Sequence, residues 1–396
     1  MTQSLTAALP VAAAAASQGK AFARIAVHDN ARDAQAVWAE LEAIAPASCY
    51  QTRSWLTAWM ETIGAATDAK PMLIAAYDAA GRAVLFLPLC TVRSGGQTVA
   101  RFMGGKDANF NMALIRPGTQ IAAEDVRELL LGAREKAARK PDLYLLQNQP
   151  QTWEGASNPL SLLPHQPSPS FGYKTALAAD AEAVLRDKLS RDTARKLRRK
   201  EGKLAEAGPV AYVTAAGVEE ARPVIAAFLL QKAARLKGMG IAGLFESPAE
   251  HAFFERMSAP DPVTGIAAAQ WHALTCGGRI VATYAGGVHR GRFHGIVSSF
   301  DMAPGVSVCS PGELLLKWLV ADCCRRGLAT FDLGVGEAGY KNAWCDVAEP
   351  LFDTLLPVGA AGRARAALEA ARLALKRRIK QTPWLWALAK RIRAWK

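Results

Sequence analysis

The chain has no run of about 18 uninterrupted apolar residues, the length a helix needs to cross a bilayer. Its seven cysteines form an odd set with no C-x-x-C pair and no His/Cys grouping at zinc spacing. Reduced thiols in a cytoplasmic protein without a metal site are therefore expected, and Cys323-Cys324 falls inside a helical pattern. The stretch Ala7 to Ala16 is rich in alanine, but no Lys or Arg precedes it and Pro10 interrupts it, so it lacks the positive start of a signal peptide. Residues 1–20 read as a loose N-terminus.

Basic charge, by contrast, is abundant. The 396 residues carry a net charge of +13 and are 51% hydrophobic, enough for two domains with full cores. Arg186 to Lys203 holds nine basic and three acidic residues, and Arg363 to Lys396 eleven basic and one acidic. These two segments sum to +16, which leaves the remainder near -3. Basicity confined to two segments points to anionic surfaces or phosphate as partners.

Periodicity gives a strand near Ile25, helices through Trp38 and Trp55, and a hairpin of Pro71–Tyr77 with Ala83–Val92 turning at Gly81. Strands near Val99 and Met112, a helix from Glu124 to Arg139 and a strand Leu143–Leu146 follow. Five prolines between 149 and 172 read as a linker. Beyond it, Ala273 to Gly287 echoes Ala75 to Leu89, with Gly278-Arg279 at the place of Gly81-Arg82. In both halves another strand, a helix and a short strand come next, so a duplicated α/β unit is expected. The boundaries are 21–148 for the first domain, 149–172 for the linker, 173–360 for the second domain and 361–396 for a basic tail.

Residues 292–344 are the most informative stretch. Arg292 to Phe300 is a β-branched and aromatic run, and Ser310-Pro311-Gly312-Glu313 opens an apolar helix whose free N–H groups suit a phosphate-bearing donor. The strand Thr330–Leu333 then leads into a Gly-rich polar segment, Gly334 to Asn342. Ser299-Phe300-Asp301, Ser310-Pro311-Gly312 with Leu314 to Leu316, Phe331-Asp332-Leu333-Gly334 with Gly336, and Tyr340-Lys341 with Trp344 together resemble an acyltransferase of the GNAT superfamily. The branch is that of the cellulose-biosynthesis (CelD/BcsL-like) acyltransferases, similar in turn to the FemAB peptidyltransferases. The resemblance spans roughly residues 20–360. It implies an α/β fold of two tandem GNAT-like domains with mixed central sheets, the second holding the donor, plus the basic amphipathic helical tail. The resemblance implies acyl-CoA or acyl carrier protein as co-substrate, with no permanently bound cofactor, although the Arg/Gln-x-x-Gly-x-Gly/Ala pyrophosphate loop of single-domain GNAT enzymes is missing, a departure that counts against coenzyme A itself.

Acyl transfer needs a base, oxyanion donors and a groove. Asp301 and His294 are the candidate bases, with Glu337 a third; a turn-capping aspartate and a structural histidine are the plain alternatives. In the loop after the last core strand, Lys341 is expected to grip phosphate and Tyr340 to protonate the leaving group. Ser310, Gly312 and Arg235 are donor-side candidates, although Arg235 also suits the helix C-terminus without a ligand. Lys106 and Asn109, in the polar loop 104–111, resemble the acceptor side of the family's cleft.

In the tail, Trp384, Leu388, Ile392 and Trp395 recur at helical spacing against basic residues, the pattern of a helix lying in an anionic membrane surface. Arg363, Arg365, Arg372, Arg377 and Arg378 could instead hold cyclic di-GMP. The expected activity is acyl transfer to an envelope component, an exopolysaccharide sugar or its lipid-linked precursor, by a protein peripheral on the inner face of the cytoplasmic membrane. N-acylation of a sphingoid base, use of aminoacyl-tRNA, and a cyclic di-GMP-responsive regulator are the rivals. The basic segment 186–203 allows aminoacyl-tRNA, but no ladder of arginines and aromatics supports it, and specific DNA binding is not expected.

Overall fold

The computed structural model describes residues 20–241 and 243–394, with side chains to Ala389; the Ala-rich start and Trp395 lie outside them. The first half runs β1 (Arg24–His28), α1 (Gln35–Ile44), α2 (Arg53–Trp59), β2 (Lys70–Tyr77), β3 (Ala83–Ser94), β4 (Gln97–Phe102), β5 (Leu114–Ile115), α3 (Ala123–Lys136) and β6 (Leu143–Pro150). A small hairpin, β7 (Thr152–Trp153) and β8 (Ala156–Ser157), leads to β9 (His165–Ala176). Next come α4 (Ala181–Lys188), α5 (Arg191–Ala205), β10 (Val210–Thr214), α6 (Val218–Gly238) and α7 (Pro248–Ser258). The second half closes with β11 (Gln270–Cys276), β12 (Arg279–His289), β13 (Arg292–Phe300), the turn α8 (Pro304–Ser307), α9 (Pro311–Arg325), β14 (Thr330–Val335), α10 (Lys341–Trp344) and β15 (Val347–Pro357). Two helices follow, α11 (Gly359–Gln381) and α12 (Pro383–Ala394).

Thirteen strands form one sheet in the order β1-β2-β3-β4-β6-β15-β9-β14-β13-β12-β11-β10, with β5 on β3. Each half has four antiparallel strands and then a parallel neighbour reached through a helix: β4 beside β6 across α3, and β13 beside β14 across α9. The duplicated hairpins turn at Gly81 and Gly278 with φ of 79° and 80°, a region where glycine alone carries no Cβ penalty. The last strands are exchanged. β9 follows β6 in the chain but pairs with β14, while β15 follows β14 but pairs with β6, and β9 and β15 pair with each other.

That exchange changes the expected linker. Residues 149–172 hold the end of β6, the hairpin and the first part of β9, because the prolines fall where β9 and its neighbours tolerate a missing N–H. Between Ala181 and Glu206 the chain forms two helices, since the Ser190 side chain accepts from the Thr193 N–H and starts α5 afresh.

Helices α1, α2, α6 and α7 share one apolar cluster that spans both halves, centred on Trp38, Trp55, Phe228 and Trp271. On the opposite face, α3 covers the first half and α4, α5 and α9 the second. Helix α11 belongs to the body of the protein. Gly362, Ala366, Glu369 and Leu373 are buried, and a Cβ at Gly362 would sit 2.0 Å from the Asp142 carbonyl oxygen. Among the described residues no helix is long and apolar enough to cross a membrane.

Candidate functional site

Strands β13 and β14 pair only from Arg292–Thr330 to His294–Asp332, while β13 continues to Phe300 and β14 to Val335. The parallel pair therefore splays. Asn109 fills the opening from the first half: its Nδ2 donates to the Gly295 carbonyl (3.1 Å) and to the Tyr50 hydroxyl (2.6 Å), and its Oδ1 accepts from the Val335 N–H (3.2 Å). Tyr50 in turn donates to Gly295 O at 3.1 Å. Asn109 thus locks the two halves together at the centre of the sheet, and it also lines the larger pocket described below.

A pocket of about 220 Å³ opens beyond the splay, lined by Arg235, Tyr284, Ser299, Phe300, Ser310 and Tyr340 among others, including Gly312 at the start of α9. It gathers four residues singled out from the sequence. The Arg235 guanidinium lies 5.1 Å from the Phe300 ring centroid, which leaves its charge at the pocket. Ser310 does not cap α9, because its φ of 50° is left-handed; its Oγ accepts instead from Lys200 Nζ at 2.6 Å. Lys200 belongs to the basic segment 186–203. It lies one turn from the buried Leu197 and Leu204, a spacing that carries it to the edge of the α5–α9 contact.

Beneath the pocket, Ser299 Oγ donates to Gln231 Oε1 (2.7 Å) and shares a 2.7 Å hydrogen bond with Thr283. Lys232 donates to the Ser298 carbonyl at 3.1 Å, and burial, with Arg235 nearby, brings its pKa down to about 8. Burial likewise raises the Tyr340 phenol above its ordinary value, so it stays protonated at neutral pH.

Other expected site residues point elsewhere. Asp301 is not among the residues lining this pocket; it pairs with Arg279 and accepts from the Ala303 N–H at 2.9 Å, the turn-capping arrangement. His294 is 1% exposed, stacked at 6.0 Å on Trp153, and burial with Arg292 beside it holds its pKa well below the usual value. Lys341 turns inward, donating to Gly334 O (3.1 Å) and Val335 O (3.4 Å), with burial lowering its pKa to about 8. It stitches the end of β14 instead of reaching phosphate, because α10 places its side chain under the chain. Glu337 accepts from the Phe171 N–H (3.3 Å) and pairs with Lys380 (3.5 Å), so it anchors β9 and α11.

A second pocket of about 550 Å³ lies on the other side of the Gly334–Gly336 segment, where β4 and β6 splay in the first half. Arg101, Lys106, Asp107, Gln147, Lys376 and Lys380 are among its polar walls. Lys106 is exposed and 3.6 Å from Glu250. Asp107 accepts from Trp59 Nε1 at 2.9 Å, and burial raises its pKa. Sequence reasoning read its loop but not this residue; α11 supplied no signal at all, since its lysines belonged to an apparent tail.

In that tail Arg365 pairs with Glu369 (2.8 Å) and bonds Ser94, and Arg372 lies 3.9 Å from Glu369. Arg363, Arg372 and Arg378 are exposed and Arg377 is half-buried. Trp384 and Leu388 are exposed on α12.

Residues 191–342 match the profile of a family described as an acetyltransferase (GNAT) domain. The fold is similar to that of FemX, at 10% identity and a TM-score of 0.58, over 87% of this chain and 99% of that one. It is similar also to a conserved protein from Bacteroides thetaiotaomicron (12% identity, TM-score 0.51, 84% and 100% covered). A third likeness is the C-terminal domain of a protein described as a lysylphosphatidylglycerol synthetase from Agrobacterium fabrum (13%, 0.50, 86% and 96%). Curated proteins give no match by sequence. The chain carries a GNAT-type acyltransferase domain, set within a fold of two GNAT-like halves.

Proposed function

We propose that the protein transfers an acyl group from acyl-CoA or acyl carrier protein to an amine or hydroxyl of an envelope component, an exopolysaccharide sugar or its lipid-linked precursor. The observation that carries this is the convergence of Arg235, Ser310, Gly312 and Tyr340 on one pocket at the start of α9, with Lys200 bonded to Ser310. Arg235 gives positive charge for the donor's phosphates at the pocket wall, and Lys200 adds its own from behind Ser310. When the acceptor attacks the thioester carbonyl, the C–N or C–O bond forms and the C–S bond breaks; Tyr340 gives its proton to the departing thiolate and is reprotonated by the proton that the acceptor's N–H or O–H releases. In this reading the acceptor sits in the larger pocket, whose wall includes Val335 and Gly336.

Motif resemblance to the cellulose-biosynthesis branch supports a polysaccharide acceptor. Exposed Trp384 and Leu388 beside the tail's basic residues support peripheral attachment to an anionic bilayer, and with it the lipid-amine alternative. Mass spectrometry of surface polysaccharides and lipids from a strain lacking the protein tests the assignment. Loss of an acyl mark from a polysaccharide supports it, loss from a lipid amine transfers the reading to that acceptor, and unchanged profiles of both contradict it.

A further inference from the structure

We propose that the larger pocket selects an acceptor bearing a phosphate next to its sugar, and that Lys376 and Lys380 of α11 are specificity-determining residues for that phosphate. The proposal rests on the acyltransferase reading and names the acceptor's chemistry. Four cations, Arg101, Lys106, Lys376 and Lys380, line a cavity of about 550 Å³, and Asp107 is the one acid among the lining residues. That size suits a sugar phosphate with room for a further group.

The acids in and around the cavity already have donors. Asp107 accepts from Trp59, Asp353 from the Asn148 N–H and Ser168, Glu337 from the Phe171 N–H, and Glu250 from Ser247. Donors are in surplus on the cationic side. The Nε of Arg101 is buried with no protein acceptor, and Lys380 gives two of its three protons to Ser170 and to Glu337 at 3.5 Å. A surplus of buried and half-buried donors is satisfied by a ligand rich in acceptor oxygens, and phosphate supplies the most per atom. Asn111, Gln147, Asn148 and Ser170 beside the cations offer the mixed donors and acceptors that sugar hydroxyls need.

The placement also explains why α11 is folded against the sheet instead of hanging free. Gly362 allows contact with Asp142, and Leu373 is buried, so the helix is held at the angle that turns Lys376 and Lys380 into the cavity. The other source of amine plus phosphate is a phospholipid headgroup, which lacks the sugar the amides would read.

Calorimetric titration of the full-length protein with methyl glucosaminide, glucosamine 1-phosphate and O-phosphoethanolamine separates these chemistries. Glucosamine 1-phosphate should bind at least about tenfold more tightly than either of the others, the scale of one charge-assisted hydrogen bond. Its affinity should fall with added salt while that of methyl glucosaminide holds. The double variant Lys376→Ala/Lys380→Ala should lose about tenfold or more for the sugar phosphate and keep wild-type acetyl-CoA affinity, with Lys376→Arg/Lys380→Arg restoring it. Equal, salt-insensitive binding of phosphorylated and unphosphorylated sugar by the wild type overturns the proposal even if the variants fail to fold. Equally tight binding of O-phosphoethanolamine overturns its sugar component. Acetyl transfer to methyl glucosaminide that matches transfer to the phosphate would leave the acyltransferase reading standing while this inference falls.

Discussion

At the scale of single residues, position in the fold decides role more firmly than residue type. Tyr340 and Lys341 are neighbours, yet one lines the donor pocket and the other is 6% exposed beneath it. Tyr340→Phe removes the proton for the leaving group, so kcat should drop by about 100-fold or more with the donor KM near wild type; unchanged kcat would remove the tyrosine from the reaction. Lys341→Met should act on stability instead, because two carbonyls of the β14 end lose their donor, at about 1–3 kcal/mol in a urea titration. Asp332 is wholly buried, accepts from the Gly334 N–H at 2.7 Å, and burial lifts its pKa to about 7. An unfolded aspartate titrates near 4, so between about pH 4 and 7 the folded chain holds the extra proton and this group's contribution declines as pH rises. Relative to Asp332→Asn, the wild type should lose on the order of 2 kcal/mol between pH 5 and pH 8. Parallel stability curves would contradict the buried, protonated carboxyl. Neither Lys341 nor Asp332 could be placed from sequence, since a lysine after a Gly-rich turn reads equally as a phosphate ligand and as a backbone clamp.

At the scale of elements, periodicity was a dependable guide where one face of a helix or strand is buried and a poor one where tertiary contact overrides it. The β2–β3 and β11–β12 hairpins, α6 and the start of α9 follow the residue pattern closely, because Gly81, Gly278 and Pro311 punctuate it. The tail does not. Its dense positive charge hides the small buried stripe Gly362–Ala366–Leu373, and only the sheet beneath explains that spacing. Gly362→Ala should lower the melting temperature, since backbone atoms of Asp142 cannot yield to a Cβ at 2.0 Å; an unchanged melting temperature would mean that α11 does not dock there. Removal of residues 361–396 should therefore destabilise the protein, which makes it a poor test of membrane attachment. Removal of 383–396 alone takes away Trp384 and Leu388, and should reduce sedimentation with vesicles of mixed phosphatidylcholine and phosphatidylglycerol while leaving the melting temperature in place. Full retention on vesicles would refute attachment through α12.

At the scale of the whole molecule, duplication was legible in the echo of Ala75–Leu89 by Ala273–Gly287, but the exchange of β9 and β15 was not. Strand pairing between distant segments leaves no local signature, and a proline-rich stretch looks like a linker until its partners are known. The exchange places a strand of each half's chain in the other, and Asn109 of the first half closes the splay of the second. Calorimetry should accordingly show one cooperative transition, and two separated transitions would mean that the halves fold independently. The same sheet carries two pockets, one walled by Tyr284, Ser299 and Tyr340 and the other by Asn109, Val335 and Gly336. The account's central claim is that these pockets serve acyl transfer. The most direct measurement is transfer of radiolabelled acetyl from acetyl-CoA to glucosamine 1-phosphate by the purified full-length protein, beside Arg235→Ala and Tyr340→Phe. Labelled N-acetylated product from the wild type, a raised donor KM for Arg235→Ala and a collapsed kcat for Tyr340→Phe are the predicted results. No product from the wild type, or product formed equally well by both variants, would contradict it.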